Sequence, residues 1–397
     1  MNVTSTDGCG YMEAIATVSP LHAIHEAGVA AIRTEEAKEK PVLLPSAGMG
    51  EWLRQMGGSL AFSTYQSNRL FFVMADDASQ VLAQERIVGP AMGLALDSAG
   101  LWVSNQTQVW RFANIGPHTV GEFNADAVFM PRKGYLLGPC DVHDILPGVM
   151  FRGQYHELLF VNTHFNCIAS LDDNYNFQPV WQPDFITSIR RPDDRCHLNG
   201  MGSRDGILTF ATLCGRRDTP LGWKEIKANG GVVLDIHQNR VLCEGLSMPH
   251  SPRWHQDRLW VLNSGMGELG FVHKGVFNSL CLCPGFPRGL CLVDNYAIVC
   301  VSKVRTTSLG QNIPLLERLA AKNLRQMCGL LVIDIHTSKL LHWLTIKGIQ
   351  ELFDVEFMPG IRSPFTPGFS LDALHKTLFH FPENEPFSIA ETAKKAS

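Results

Sequence analysis

A short segment recurs six times along this chain, and most copies open a strand-like run. The copies are Met92-Gly93-Leu94, Val142-His143-Asp144, Leu198-Asn199-Gly200, Pro249-His250-Ser251, Pro287-Arg288-Gly289 and Phe353-Asp354-Val355. They lie about 38 to 66 residues apart, in or near the range of propeller blades with loop insertions. In a propeller, the start of each blade's inner strand faces the central axis. One residue per copy would then form a ring: Gly93, His143, Asn199, His250, Arg288 and Asp354. All but Gly93 are polar or charged, and a repeat that only had to pack would not need that chemistry at one place. The expected fold is therefore all-β, a six-bladed β-propeller. Seven blades is the alternative, if Ser59-Leu60-Ala61 opens a blade of its own.

The pattern along the chain divides it into three parts. Residues 1–42 read as an N-terminal extension with a short helix over His22 to Lys38. Residues 43–370 read as the propeller domain, and 371–397 as a C-terminal tail. A short helix is expected around Trp52, then strands near 59–65, 69–75 and 80–88. The copy at Phe353 has no strands after it, and those N-terminal strands lack a ring segment of their own. Pairing the two closes the ring and removes exposed sheet edges. A helical insertion is expected near 313–326, where Leu315, Leu316, Leu319 and Leu324 fall at helical spacing, as a lid or surface helix. A β-sandwich with helical additions would explain the strands but not the repeat.

Composition narrows the setting. The 35 glycines and 22 prolines suit many tight turns. A net charge of −4, with no basic stripe, gives no sign of nucleic-acid binding. No run of roughly 18 apolar residues suggests a membrane span, and the first 20 residues do not read as a secretory signal. Eleven scattered cysteines, with no Cys-x-x-Cys pair, read as reduced thiols of a cytoplasmic protein.

His143 and His250 are the candidate metal ligands, with Asp354 or Glu356 as the carboxylate. That set suits one divalent transition metal, iron or zinc. The competing reading is that the histidines fill the channel by hydrogen bonding. His197 lies two residues before its ring position. By strand alternation it points to the side of Asn199 and is placed to move a proton. Asn199 is the residue to hydrogen-bond a substrate. Arg288 either binds an anionic substrate or pairs with Asp354. Arg195 reads as a loop salt bridge with Asp193 or Asp194. The loop from Cys214 to Trp223 ends on an aromatic that reads as exposed, and it is either a partner contact or a turn capped by Asp218. Gly265-Met266-Gly267-Glu268-Leu269-Gly270 fits a dinucleotide pattern but lies between strands, so it reads as a turn.

Several strings carry a resemblance. They are Asp194-Arg195-Cys196-His197-Leu198-Asn199-Gly200, Ser247-Met248-Pro249-His250-Ser251-Pro252-Arg253-Trp254, and Pro284-Gly285-Phe286-Pro287-Arg288-Gly289-Leu290. Val128-Phe129-Met130-Pro131-Arg132 before Asp141-Val142-His143-Asp144 belongs with them. Together they resemble a bacterial family of conserved hypothetical proteins, a domain of unknown function, over about residues 43 to 370. The resemblance implies a propeller-like fold and no activity. A more distant similarity, in architecture alone, is to six-bladed propellers of the gluconolactonase and strictosidine-synthase kind.

The functional expectation is a polar axial pocket for a small anionic molecule or a peptide, with metal-assisted chemistry if the chain is an enzyme. Two alternatives stand beside it. One is a non-catalytic scaffold for a protein or ligand partner. The other is a sugar or lactone hydrolase, which the two histidines disfavour because such sites use oxygen ligands for calcium.

Overall fold

The computed structural model describes residues 41–304 and 311–369. The expected helix at His22 to Lys38 and the tail at 371–397 lie outside the described residues. The chain is mostly β and propeller-like, built of antiparallel sheets. Six successive groups of strands meet around the axis through their first strands, the second and third groups being joined into one eight-stranded sheet by the parallel pairing of Met150 with Ile207. In chain order these first strands are Leu94–Asp97, Val142–Phe151, Leu198–Arg204, Pro249–His255, Phe286–Val293 and Val355–Pro359. Each contacts the next, and the last returns to Leu94–Asp97, so they form a closed circuit.

The closing sheet joins the two ends of the domain. Val355–Pro359 pairs antiparallel with Gly58–Thr64, in a register that sets Val355 opposite Phe62 and Pro359 opposite Gly58. Arg69–Ala75 and Val81–Ile87 continue that sheet outwards. A second tie was not expected from sequence: Val42–Pro45 adds to the outer edge of the last sheet beside Leu340–Lys347. Its first residue falls in the stretch read above as extension.

Strands such as Gly58–Thr64 are buried throughout because they are sandwiched between two other sheets. Leu60, Phe62, Phe71 and Val73 pack on Ile298, Cys300 and Leu330 of one neighbour. Ala61, Leu70 and Phe72 pack on Leu94, Leu101 and Val103 of the other. Phe62 and Phe71 stack with centroids 4.7 Å apart. Both faces are therefore apolar, and alternation in the sequence is weak there.

Two short helices accompany the sheets. Met49–Met56 buries Met49, Trp52 and Leu53 against the closing sheet and the one before it. Leu315–Ala321 lies within the insertion expected near 313–326. It buries Leu315 and Leu319 in a cluster with Trp223, Met248 and Phe286. No helix among the described residues is long and apolar enough to cross a membrane.

One local feature aims the axial side chains. In four of the six first strands the ladder slips beside the ring residue. The slips fall between Val142 and Ile145, Leu198 and Gly200, His250 and Arg253, and Pro287 and Leu290. A bulge bends its strand and turns a side chain out of the sheet's alternation.

Candidate functional site

A cavity of about 10 Å³ lies among the first strands, lined by His143, Asp144, Asn199, His250, Ser251, Arg288, Phe353 and Asp354. That is about the space for one water. Five of the ring residues expected from sequence, His143, Asn199, His250, Arg288 and Asp354, meet there. Gly93 is not in its wall. A side chain at that position would meet Ile145 and Ser104 at 3.3 Å.

The two ring histidines are held in the same way. His143 Nδ1 lies 3.0 Å from the Asp141 carbonyl and 2.8 Å from Thr163 Oγ1. The Thr163 hydroxyl donates to the Leu198 carbonyl, so it can only accept from His143. The proton of neutral His143 therefore sits on Nδ1, and Nε2 keeps its lone pair. His250 Nδ1 lies 2.9 Å from both the Met248 carbonyl and Ser264 Oγ. His250 Nε2 accepts from the Asn199 amide at 3.3 Å. In each case the residue that supplies the carbonyl, Asp141 or Met248, sits at positive φ (53° and 47°). That turns its carbonyl back onto the ring.

Both imidazoles stay neutral near pH 7. Burial pushes His143 down to about 4; Asp141 opposes this, while His197 and Arg288 add to it. Burial and the Arg288 guanidinium hold His250 well below the ordinary histidine range.

The charged wall differs from the expected one. Arg288 pairs with buried Glu351, not with Asp354. Its guanidinium also lies 4.9 Å from the centroid of the Phe353 ring. Asp354 instead accepts the backbone N–H groups of Leu94 and Val355 at 3.0 and 2.9 Å. Asp144 behaves likewise, accepting the Met201 N–H at 3.0 Å. Each carboxylate thus ties its sheet to the next first strand. By its bonding Asp354 matches Asp144, and Phe353 takes the place beside it that His143 takes beside Asp144.

Arg253 forks onto Asp144 with bonds of 3.0 and 3.1 Å, and Asp354 and Glu356 add to its field. Burial pushes Asp354 up to about 7 against the pull of Arg253. Burial and the Asp354 charge push Glu356 up to about 8. Glu356 does not reach the cavity; its carboxylate accepts from Cys291 Sγ at 3.9 Å.

His197 is not in the cavity wall either. It precedes its strand at φ 50°, so alternation does not govern it. Its ring meets His143 edge-on at 4.9 Å and stacks on Trp223 at 4.0 Å. Trp223 is only 1% exposed, which corrects its reading as an exposed loop residue. In the same loop Asp218 accepts from Thr187 and Arg195, and Arg195 also pairs with Asp193. Sequence reasoning gave no site role to Phe353, Asp144, Glu351 or Arg253, and set Ser251 aside as a nucleophile for want of a Gly-x-Ser-x-Gly elbow. Their proximity to the ring copies was the available signal, since Glu351 lies two residues before Phe353 and Arg253 two after Ser251.

Residues 47–366 match the family described as a domain of unknown function, DUF4915. The chain belongs to this family. No curated protein matches it in sequence. Among solved structures it is similar to a chain of a nidogen/laminin complex, at 10% identity and a TM-score of 0.43, covering 77% of this chain and 100% of that one. A luciferin-regenerating enzyme is similar at 10% identity and a TM-score of 0.36, covering 81% and 100%. AztD from Citrobacter koseri is similar at 10% identity and a TM-score of 0.22, covering 76% and 62%. Scores this low say nothing of what this DUF4915 protein binds.

Proposed function

We propose that this DUF4915 protein is a six-bladed propeller that binds a small hydroxylated anion at the mouth of its axial cavity. The blade count rests on the six first strands in their closed circuit. We take residues 43–370 as that domain. Its compartment is reducing, the cytoplasm, which fits the free thiols at all ten cysteines of the described residues.

One observation carries the ligand class. His143 offers a neutral Nε2 acceptor to the same small cavity that Arg288 lines as a cationic donor. A ligand hydroxyl satisfies the first and a carboxylate or phosphate the second. With room for about one water, the cavity admits the hydroxyl alone, and the anionic group stays at the mouth beside Arg288. That favours a small molecule over a peptide. Glu351 competes for Arg288, so an anion must share the guanidinium with it.

Gluconate, a hydroxylated carboxylate, is the probe. It is expected to raise the wild-type melting temperature at millimolar concentration. Arg288→Met alone would take a charge partner from buried Glu351 and cost stability on that account. The pair Arg288→Met with Glu351→Gln is therefore the informative variant. It should keep the fold and lose gluconate affinity by at least about thirtyfold, the lower end for a desolvated charge pair. Gluconate that binds the double variant as well as the wild type, or neither protein, would overturn this reading.

A metal centre is the second reading, favoured by the fixed tautomers. Metal-ligating histidines usually donate their other N–H to a carbonyl or carboxylate, as His143 and His250 do. Asp354 would be the third ligand. Among the described residues no group of three or more His, Cys, Asp or Glu is arranged to hold an ion. Asn199 also occupies His250 Nε2, so the fit is incomplete. Elemental analysis of protein purified without chelator or affinity tag decides it. Stoichiometric iron or zinc, lost in both His143→Ala and His250→Ala with the fold intact, is the result this reading requires.

A further inference from the structure

We propose that a cleft between the groups of strands opening with Leu198–Arg204 and Pro249–His255 is a second binding site, and that its ligand is a small aromatic carboxylate. The cleft has a volume of about 540 Å³, within the range of small-molecule sites, roughly 300–1,000 Å³. It lies away from the axial cavity. Its wall takes Arg204 and Trp254 from the far ends of those two first strands. The ring residues Asn199 and His250 stand near the opposite ends of the same strands. The separation along each strand is roughly 13–17 Å.

The interior of the cleft is apolar. Phe210 and Leu259 are buried, and Leu242, Trp254 and Val272 pack against that cluster while staying partly exposed. Phe210 and Trp254 stack with ring centroids 5.9 Å apart and an interplanar angle of 22°. A flat apolar body laid on these side chains removes their remaining surface from water.

The rim is cationic. Arg204, Arg240 and Lys274 line the cleft, against one carboxylate, Asp235. Asp235 is committed within its own turn, where Oδ1 accepts the N–H groups of His237 and Gln238 at 3.0 and 3.3 Å. Its Oδ2 lies 3.9 Å from Arg240, a loose pair. The Arg204 guanidinium lies over the Trp254 ring, 4.2 Å from its centroid, and 3.6 Å from Asp205 outside the cleft. Among the described residues Lys274 forms no ion pair. A ligand carboxylate supplies the charge this rim lacks: Arg240 presents a fork to it and Lys274 a point charge.

The shape favours a compact ligand over an extended peptide. At the outer end the Lys274-Gly275 turn comes down on the neighbouring sheet, where a side chain at Gly275 would stand 3.8 Å from the Leu242 carbonyl. At the inner end Trp254 and Phe210 close the cleft. Among the described lining residues the one uncharged polar side chain is Thr209, and it already donates to the Ile207 carbonyl at 2.8 Å. A peptide backbone, with a donor and an acceptor at each residue, would be poorly matched there.

Naphthoate is the probe, with naphthamide as its uncharged match. Ligand-observed NMR titration of the full-length wild type should give naphthoate a dissociation constant of about 1 mM or tighter, the ordinary return for about thirteen heavy atoms. Naphthamide should bind at least about threefold more weakly. The rim variant, Arg240→Gln with Lys274→Gln, changes exposed side chains and should keep the fold. It should weaken naphthoate about three- to thirtyfold, as two partly screened charge contacts are lost, and leave naphthamide unchanged. Arg288→Met with Glu351→Gln should bind naphthoate as the wild type does. A loss there would place naphthoate in the axial cavity and overturn the proposal. Should that variant not fold, the rim variant alone localises the ligand, because Arg240 and Lys274 are not in the axial wall. Equal binding of naphthoate and naphthamide, or of naphthoate by the wild type and the rim variant, would also overturn it. So would a wild type that binds no naphthoate; if it then bound the acidic pentapeptide EEFEE, the cleft would belong to a protein partner instead.

Discussion

Deleting residues 350–397 should abolish the cooperative thermal transition of this DUF4915 protein. The deleted stretch contains Val355–Pro359, the first strand of the closing sheet. Its described residues include six buried apolar side chains: Leu352, Phe353, Val355, Phe357, Met358 and Phe365. At roughly 1.5–3 kcal/mol for each buried large side chain, their loss removes roughly 9–18 kcal/mol. Whole domains are typically stable by only about 5–15 kcal/mol. The deletion also bares the edge of Gly58–Thr64, an apolar strand ready to pair with another chain. The truncated protein should therefore aggregate and lose its near-ultraviolet circular dichroism. A truncated chain that melts at the wild-type temperature would show that the circuit does not depend on its closing strand. Phe357→Ala is a milder check. It should cost about 3–5 kcal/mol and leave the transition cooperative.

The repeat exposed this closure in the sequence because it was incomplete at both ends. The strands at Gly58–Thr64, Arg69–Ala75 and Val81–Ile87 lacked a ring segment, and Phe353-Asp354-Val355 lacked outer strands. The meeting of His143, Asn199, His250 and Arg288 was legible for the same reason, since equivalent places in a repeat share one axis; Asp354 joins them one residue out of register, at the place of Asp144. What escaped was set by geometry finer than a period of two. The ladder slips after His143 and after His250 are invisible in composition, so Asp144 and Ser251 were not seen to share the cavity with the residues before them. His197 was assigned a direction by alternation, but at φ 50° it stands outside the strand. Glu351 lies two residues before the last copy, and its pairing with Arg288 shows only once Val355–Pro359 packs beside Phe286–Val293. Trp223 was misjudged because a polar loop usually lies on the surface. Here the loop folds inwards, and its tryptophan is covered by Leu315 and Leu319.

Replacing Arg253 should be among the most damaging single changes in the chain, and its damage should depend on pH. Arg253 is a guanidinium among three carboxylates. It is bonded to both oxygens of Asp144, and Asp354 and Glu356 lie within its field. It also donates to the Met201 carbonyl, so it ties the sheets of Asp144 and Met201 to its own. Removing one partner of a buried ion pair typically costs about 3–5 kcal/mol, because the other charge is left uncompensated. Arg253→Met should show a loss of that size at pH 8. The sign of the pH effect follows from proton binding. The carboxyls of Asp354 and Glu356 are raised in the folded state to about 7 and about 8. Between the unfolded carboxyl range and those values, the folded protein holds more protons than the unfolded chain. Stability from these two groups therefore falls as pH rises from about 4 to about 8, then levels off. Without Arg253 both carboxyls should rise further, so the penalty of the variant should shrink towards pH 5, where they are protonated. Asp144 remains a charge to be matched, and Arg253→Met with Asp144→Asn should recover part of the loss at every pH. Denaturant melts of the three proteins at pH 5, 6.5 and 8 read this directly. An Arg253→Met penalty that is flat across that range would mean that Asp354 and Glu356 stay charged throughout. The axial channel would then carry two unmatched negative charges beneath its histidines, and an anion at the mouth would be repelled rather than held.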